Sequence, residues 1–288
     1  MTAQFTTFEG HKLAYETYGR GPRNVLLIHG LLMSRRMQEP LAKAIAEQGN
    51  HTITVDLAGH GKSDAPLERW GIPRYARALD AMLEELEIEE AVVIGTSLGA
   101  NIALQLAVEH SDRVRGVVAE MPALEHAMIG GPIFFSPFAA AAAWAEPVAQ
   151  VISHTARLIP DIPLPFSANI VVDLIKRDPN TTLEILKGLY YGPIAPSIEV
   201  RQQIEQPALV IGHRYDPIHP IQDAEELAAD LPNSRFIEAS SIAELRVTPE
   251  RLTNEVIDFV DECFKPRVVD IDKPTRNSRK TNSRKTST

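Results

Sequence analysis

The chain has 288 residues, of which 44% are hydrophobic and 23% charged, a net charge of −9 and one cysteine, Cys263. That length is enough to bury a large core, and a lone thiol excludes an intrachain disulfide, which fits a reducing, cytoplasmic setting. The charge is uneven: seven basic and two acidic residues after Pro266 make the tail +5 and leave a body of −14, which argues against nucleic acid as the main partner.

The opening "MTAQFTTFEGHKLAYE" has neither the basic stretch nor the apolar core of a signal peptide. "TTFEGHKLAYETYG" predicts a hairpin turning at Glu9-Gly10, an antiparallel edge of a sheet. Next come "NVLLIHG" (24–30), "HTITVDLAGHG" (51–61), "AVVIGTS" (91–97), "VRGVVAE" (114–120) and "PALVIGH" (207–213). These short runs are rich in Val and Ile, as expected of parallel strands covered on both faces. Helical patterns separate them: "RMQEPLAKAIAEQG", "PRYARALDAMLEELEI" with proline at its start, and "SLGANIALQLAVEH", apolar almost all round and therefore buried. The alternation predicts an α/β fold, a doubly wound and mostly parallel sheet.

The alternation breaks between 121 and 200, where prolines, an "AAAAAWAE" run and amphipathic pieces predict an inserted helical cap. The expected organisation is a core over 1–121 and 200–264, a cap over 122–199, and a tail over 265–288 that repeats "NSRKT" and lacks the apolar residues to fold. Residues 128–152 are apolar, but Pro132, Pro137, Glu146 and Pro147 interrupt them, so no membrane span is expected. Phe134, Phe135, Phe138, Trp144, Phe166, Tyr190 and Tyr191 are available to line an apolar pocket or to pack the cap onto the sheet.

The sharpest motif is "GTSLG", Gly95 to Gly99. It sits between a predicted strand and a predicted helix. A serine on such a turn needs neighbours without bulk, and the helix behind it aims N–H groups at the hydroxyl. "LLIHGLLMS", "DLAGHGKSD", "GTSLGA" and "GHRYDPIHP", in that order, resemble the α/β-hydrolase fold family from residue 1 to about 264. The resemblance implies Ser97 as nucleophile, Asp216 as acid, and the backbone N–H groups of Leu31 and Leu98 as oxyanion hole. It implies a structural role for His60. His219, three residues after Asp216, reads as a loop histidine near the rim of the site, with general base as its lesser reading.

The family supplies its base from the loop after the last strand, here "SRFIEA" (234–239), before the helix "PERLTNEVIDFV" (249–260). That alignment puts Ile242 at the histidine position, and none of the nine histidines follows His219. Without a base, a serine hydroxyl is a poor nucleophile. Catalysis is lost, or Glu244, Glu120 or His126 substitutes, or the reaction needs no strong base, or the site is altered. Glu244 has an ordinary alternative as the partner of Arg246 or Arg251.

The histidines are scattered, there is no H-E-x-x-H, no cysteine pair, no G-x-G-x-x-G and no P-loop, so no metal and no cofactor is expected. The reading is a cofactor-free serine hydrolase with a degenerate triad, acting on a small, largely apolar ester or thioester. The alternatives are a non-catalytic small-ligand binder on the same fold and, third, a lyase or oxygenase of this superfamily. Oligomeric state is left open.

Overall fold

The computed structural model describes residues 3–66, 68–128, 136, 146–158, 168, 172–173, 175–176, 178–241, 244–247 and 249–265. Ile242, the tail after 265 and the aromatics Phe134, Phe135, Phe138, Trp144 and Phe166 lie outside them.

The strands are β1 (Gln4–Phe8), β2 (His11–Tyr18), β3 (Asn24–Ile28), β4 (His51–Val55), β5 (Ala91–Thr96), β6 (Val114–Glu120), β7 (Ala208–His213) and β8 (Ser234–Ala239). They form one sheet in the order β1-β2-β4-β3-β5-β6-β7-β8. β2 pairs antiparallel with β1 and β4, and every later pairing is parallel. The expected hairpin turns through Glu9 and Gly10, at φ 48° and 81°. Two successive positive φ values make the tight turn that matches strand twist.

The helices are α1 (Glu39–Glu47), α2 (Ile72–Glu85), α3 (Leu98–Glu109), α4 (Glu146–Arg157), α5 (Pro179–Tyr190), α6 (Ile198–Arg201), α7 (Ile221–Asp230), α8 (Glu244–Val247) and α9 (Glu250–Cys263). Alternation along the strands sorts the core into two layers. Leu26, Ile28 and Val93 face α2, α3 and α7, while Val25, Leu27, Val92 and Ile94 face α1 and α9. Each such side chain contributes about 1.5–3 kcal/mol by leaving water. α3 is buried nearly all round, as its sequence predicts, because it lies in the layer above the central strands.

Of the predicted cap, α4 and α5 are described; they touch each other, and α5 seats against the loop after β4. A Cβ at Gly59 would lie 2.7 Å from Ile185 Cδ1, and one at Gly188 2.5 Å from Trp70 O, so glycines permit the contact on both sides. Tyr191, expected as pocket lining or cap packing, is instead 80% exposed, with the Arg69 guanidinium over its ring. Among the described residues no helix is long and apolar enough to cross a membrane.

Candidate active site

β5 ends at Thr96 and α3 begins at Leu98, so Ser97 alone makes the turn. Its backbone lies at φ 55° and ψ −116°. A non-glycine residue there is strained by about 1–3 kcal/mol, and its surroundings must hold it. One holding contact is the Ser97 N–H, which donates to Glu120 O at 2.8 Å. The flanking glycines are obligatory: a Cβ on Gly95 would sit 2.1 Å from Gly99 O, and one on Gly99 2.4 Å from Ile28 O.

The Ser97 hydroxyl lies 2.7 Å from His219 Nε2, and His219 Nδ1 lies 2.8 Å from Asp216 Oδ2. Both partners come from the one loop that links β7 to α7. Asp216 builds that loop with its other oxygen: Oδ1 accepts the N–H groups of Ile218 at 2.8 Å and His219 at 3.0 Å. A single carboxylate therefore folds the turn and aims the ring that the turn carries. Pro217 and Pro220, on either side, fix φ and stiffen the presentation.

Burial alone would push the Asp216 carboxyl up. Hydrogen bonds and charge from His219, together with the two backbone N–H groups, hold it below its ordinary value. It is therefore an anion at neutral pH, and an anion only accepts. Nδ1 of His219 must carry the proton, which leaves Nε2 of the neutral ring to accept from the Ser97 hydroxyl. The two side chains are 6% and 11% exposed, so water competes little for these bonds.

None of the three substitutes expected from sequence stands at the hydroxyl. Glu120 is 1% exposed and held by Arg246 and Thr96. Its burial is outweighed by the charge and hydrogen bonds of Arg246, so its pKa is lowered, the wrong direction for a base. Glu244 accepts from Arg251 Nε at 2.7 Å, and that bond leads in lowering its pKa as well. The Arg251 pairing weighed from sequence is thus present, while Arg246 turns to Glu120 instead. His126 points Nδ1 at Asp223, 3.0 Å away. His126, Asp223 and Glu226 could offer a metal ligand atoms within 4.8 Å of one another. Both Asp223 oxygens, however, already accept backbone N–H groups from Leu124, His126 and Ala127, which marks the cluster as an anchor for that loop.

The serine's partner is therefore His219, the residue read from sequence as a rim histidine. The signal that identifies it is local: an acid and a histidine three residues apart, the histidine between two prolines, in a loop that folds on the acid.

Leu98 opens α3, so its N–H belongs to the first turn, where no intrahelical acceptor exists. Leu31 follows Gly30, where a Cβ would lie 3.5 Å from Ser97 Cβ. The loop after β3 thus passes beside the turn. His29, fully buried, fixes that loop: its Nδ1 donates to Gly30 O at 2.8 Å and its Nε2 accepts Leu57 N–H at 3.1 Å. His60 packs on His29 with ring centroids 4.9 Å apart, in keeping with the structural role expected of it.

The comparisons with known proteins bear on the fold and the family. An uncharacterized protein of Mycobacterium tuberculosis is 35% identical over 106 residues, 37% of this chain and 30% of that protein. The match thus spans about a third of that relative's length. A poly(3-hydroxyalkanoate) depolymerase of Ectopseudomonas oleovorans is 25% identical over 225 residues, covering 74% of this chain and 75% of that one. The solved esterase EaEST of Exiguobacterium antarcticum superposes with a TM-score of 0.74 at 18% identity, over 90% of this chain and all of its own. The family model described as alpha/beta hydrolase fold matches residues 23–241, and the chain belongs to that fold family.

Proposed function

We propose that the protein is a cofactor-free serine hydrolase that cleaves a small, largely apolar ester or thioester through Ser97, His219 and Asp216. The observation that carries this reading is the unbroken chain from Ser97 Oγ through His219 to Asp216, with contacts of 2.7 and 2.8 Å. Such contacts set a hydroxyl, a proton acceptor and an orienting anion in line. In this reading the triad is complete and in the usual order along the chain; only the place of its histidine is unusual, in the acid's own loop after β7 and not after β8.

Ser97 Oγ attacks the carbonyl carbon as its proton passes to His219 Nε2. The carbonyl oxygen becomes an anion held by the N–H groups of Leu31 and Leu98, a stabilisation worth about 2.7–4 kcal/mol per donor. His219 then gives its proton to the leaving alcohol or thiol. Water, deprotonated by the same nitrogen, frees the acid from Ser97. Asp216 stays ionised throughout and stabilises the imidazolium. Helix α5 would serve as part of a cap, a role supported by its seat on the Gly59 loop.

The test is labelling by a fluorophosphonate, which reacts only with an activated serine. Labelling of the wild type that is lost in Ser97→Ala supports a hydrolase. A wild type that stays unlabelled, although folded, returns the chain to the ligand-binder reading.

A further inference from the structure

The segment after β8, which holds no histidine, still reaches the turn that bears the nucleophile. Arg246, on α8, brings Nη2 to 2.7 Å from Glu120 Oε2 and 3.1 Å from Thr96 Oγ1, and Nη1 to 3.3 Å from Glu120 Oε1. Thr96 precedes Ser97. Its hydroxyl donates to Glu120 Oε2 at 2.6 Å and accepts from Gln38 Nε2 at 3.0 Å, so it has its single donor bond and both acceptor bonds. Gln38 Nε2 is also bonded to Ile28 O at 3.0 Å, which extends the network to the end of β3. Glu120 grips the same turn through its backbone, where its carbonyl accepts the Ser97 N–H.

We propose that Arg246 is a positioning residue for the reaction: by pairing with Glu120 and Thr96 it fixes the strained Ser97 turn and keeps a buried carboxylate ionised beside it. The proposal rests on the serine-hydrolase reading above. The pair is closed to water, with side chains 9% and 2% exposed. Among the described residues the other titratable group facing Glu120 is His213, whose Nε2 is 3.7 Å from Oε1 and whose Nδ1 is held by Ser241 O. Glu244 and Arg251, nearby in the chain, pair with each other. Arg246 is therefore the strong cation on Glu120. In its absence burial would drive Glu120 to take up a proton, and the Thr96 hydroxyl would lose a donor.

The test compares Arg246→Met, Arg246→Lys and the neutral pair Arg246→Met/Glu120→Gln with the wild type. The readouts are the pH profile of fluorophosphonate labelling and kcat/KM on p-nitrophenyl butyrate. A small misplacement of the turn costs up to about 100-fold, so Arg246→Met is expected to label 10- to 100-fold more slowly and to show an added titration absent from the wild type. Arg246→Lys, which keeps the charge without the fork, should remove that added titration. The neutral pair should remove it as well and remain slower than the wild type. A folded Arg246→Met variant with wild-type rate and profile overturns the proposal. If that variant does not fold, the neutral pair decides: a wild-type rate and profile there overturn it equally. A wild type that does not label at all defeats the hydrolase reading itself, whatever the Arg246 variants do.

Discussion

The loop after β7 and the segment after β8 leave the same end of adjacent strands, and they carry opposite kinds of polar pair. In the first, Asp216 faces a histidine whose second nitrogen meets the serine. In the second, Arg246 and Arg251 each face a glutamate, Glu120 and Glu244. An imidazole exchanges protons near neutral pH; a guanidinium never does. The first loop can therefore do acid–base chemistry, and the second can only hold. Where a base sits in the chain matters less than whether a titratable ring reaches the hydroxyl.

The largest effects are expected at Ser97, His219 and Asp216. Ser97→Ala and His219→Ala should each lower kcat on an activated ester by about 10⁴- to 10⁶-fold, and the double variant should be no worse than either, because the two act as a unit. Asp216→Asn should cost about 10⁴-fold by favouring the wrong tautomer of His219. It should also loosen the loop, since Asp216 accepts two of its N–H groups; faster hydrogen exchange at Ile218 and His219 is the readout.

The segment after β8 should show itself in stability. Arg246→Met leaves a buried carboxylate without its cation, which costs about 3–5 kcal/mol, read from denaturant midpoints. The sign with pH follows from Glu120. Its folded pKa lies below the usual 4.5, so the pairing contributes fully above the unfolded value. That contribution is lost as pH falls through the depressed folded value. The wild type should lose melting temperature on acidification through that window, and the Arg246→Met/Glu120→Gln pair should lose less. The smallest effect is expected of Ile242→His. With His219 as the proposed base, kcat/KM should change by less than about threefold.

The core was legible because its strands are continuous apolar runs and its helices amphipathic, patterns set by local periodicity. The hairpin at Glu9-Gly10, strands β3 to β8 and the Ser97 turn all stand where those patterns put them. The glycines of "GTSLG" were readable because a close approach of strand and helix tolerates no other residue. The partner of Ser97 was harder to read because it is set by a tertiary contact across 122 positions. The resemblance puts the base after β8, which leaves general base as only the lesser reading of His219, although the D-P-I-H-P loop carries the acid and the ring together. Arg246 was equally obscure. An arginine beside a glutamate in sequence reads as a surface pair, and only the fold shows that Arg246 turns inward to Glu120 while Glu244 takes Arg251.

In the proposed mechanism one nitrogen, His219 Nε2, takes the proton of Ser97. The most direct measurement is the second-order rate of fluorophosphonate labelling of Ser97 in the wild type and in His219→Gln, near neutral pH, with both proteins shown to melt cooperatively. General-base assistance is worth about 10²- to 10⁴-fold, so labelling of His219→Gln should be slower by that factor. Equal rates in the two proteins would contradict the account and return the base to the residues around position 242.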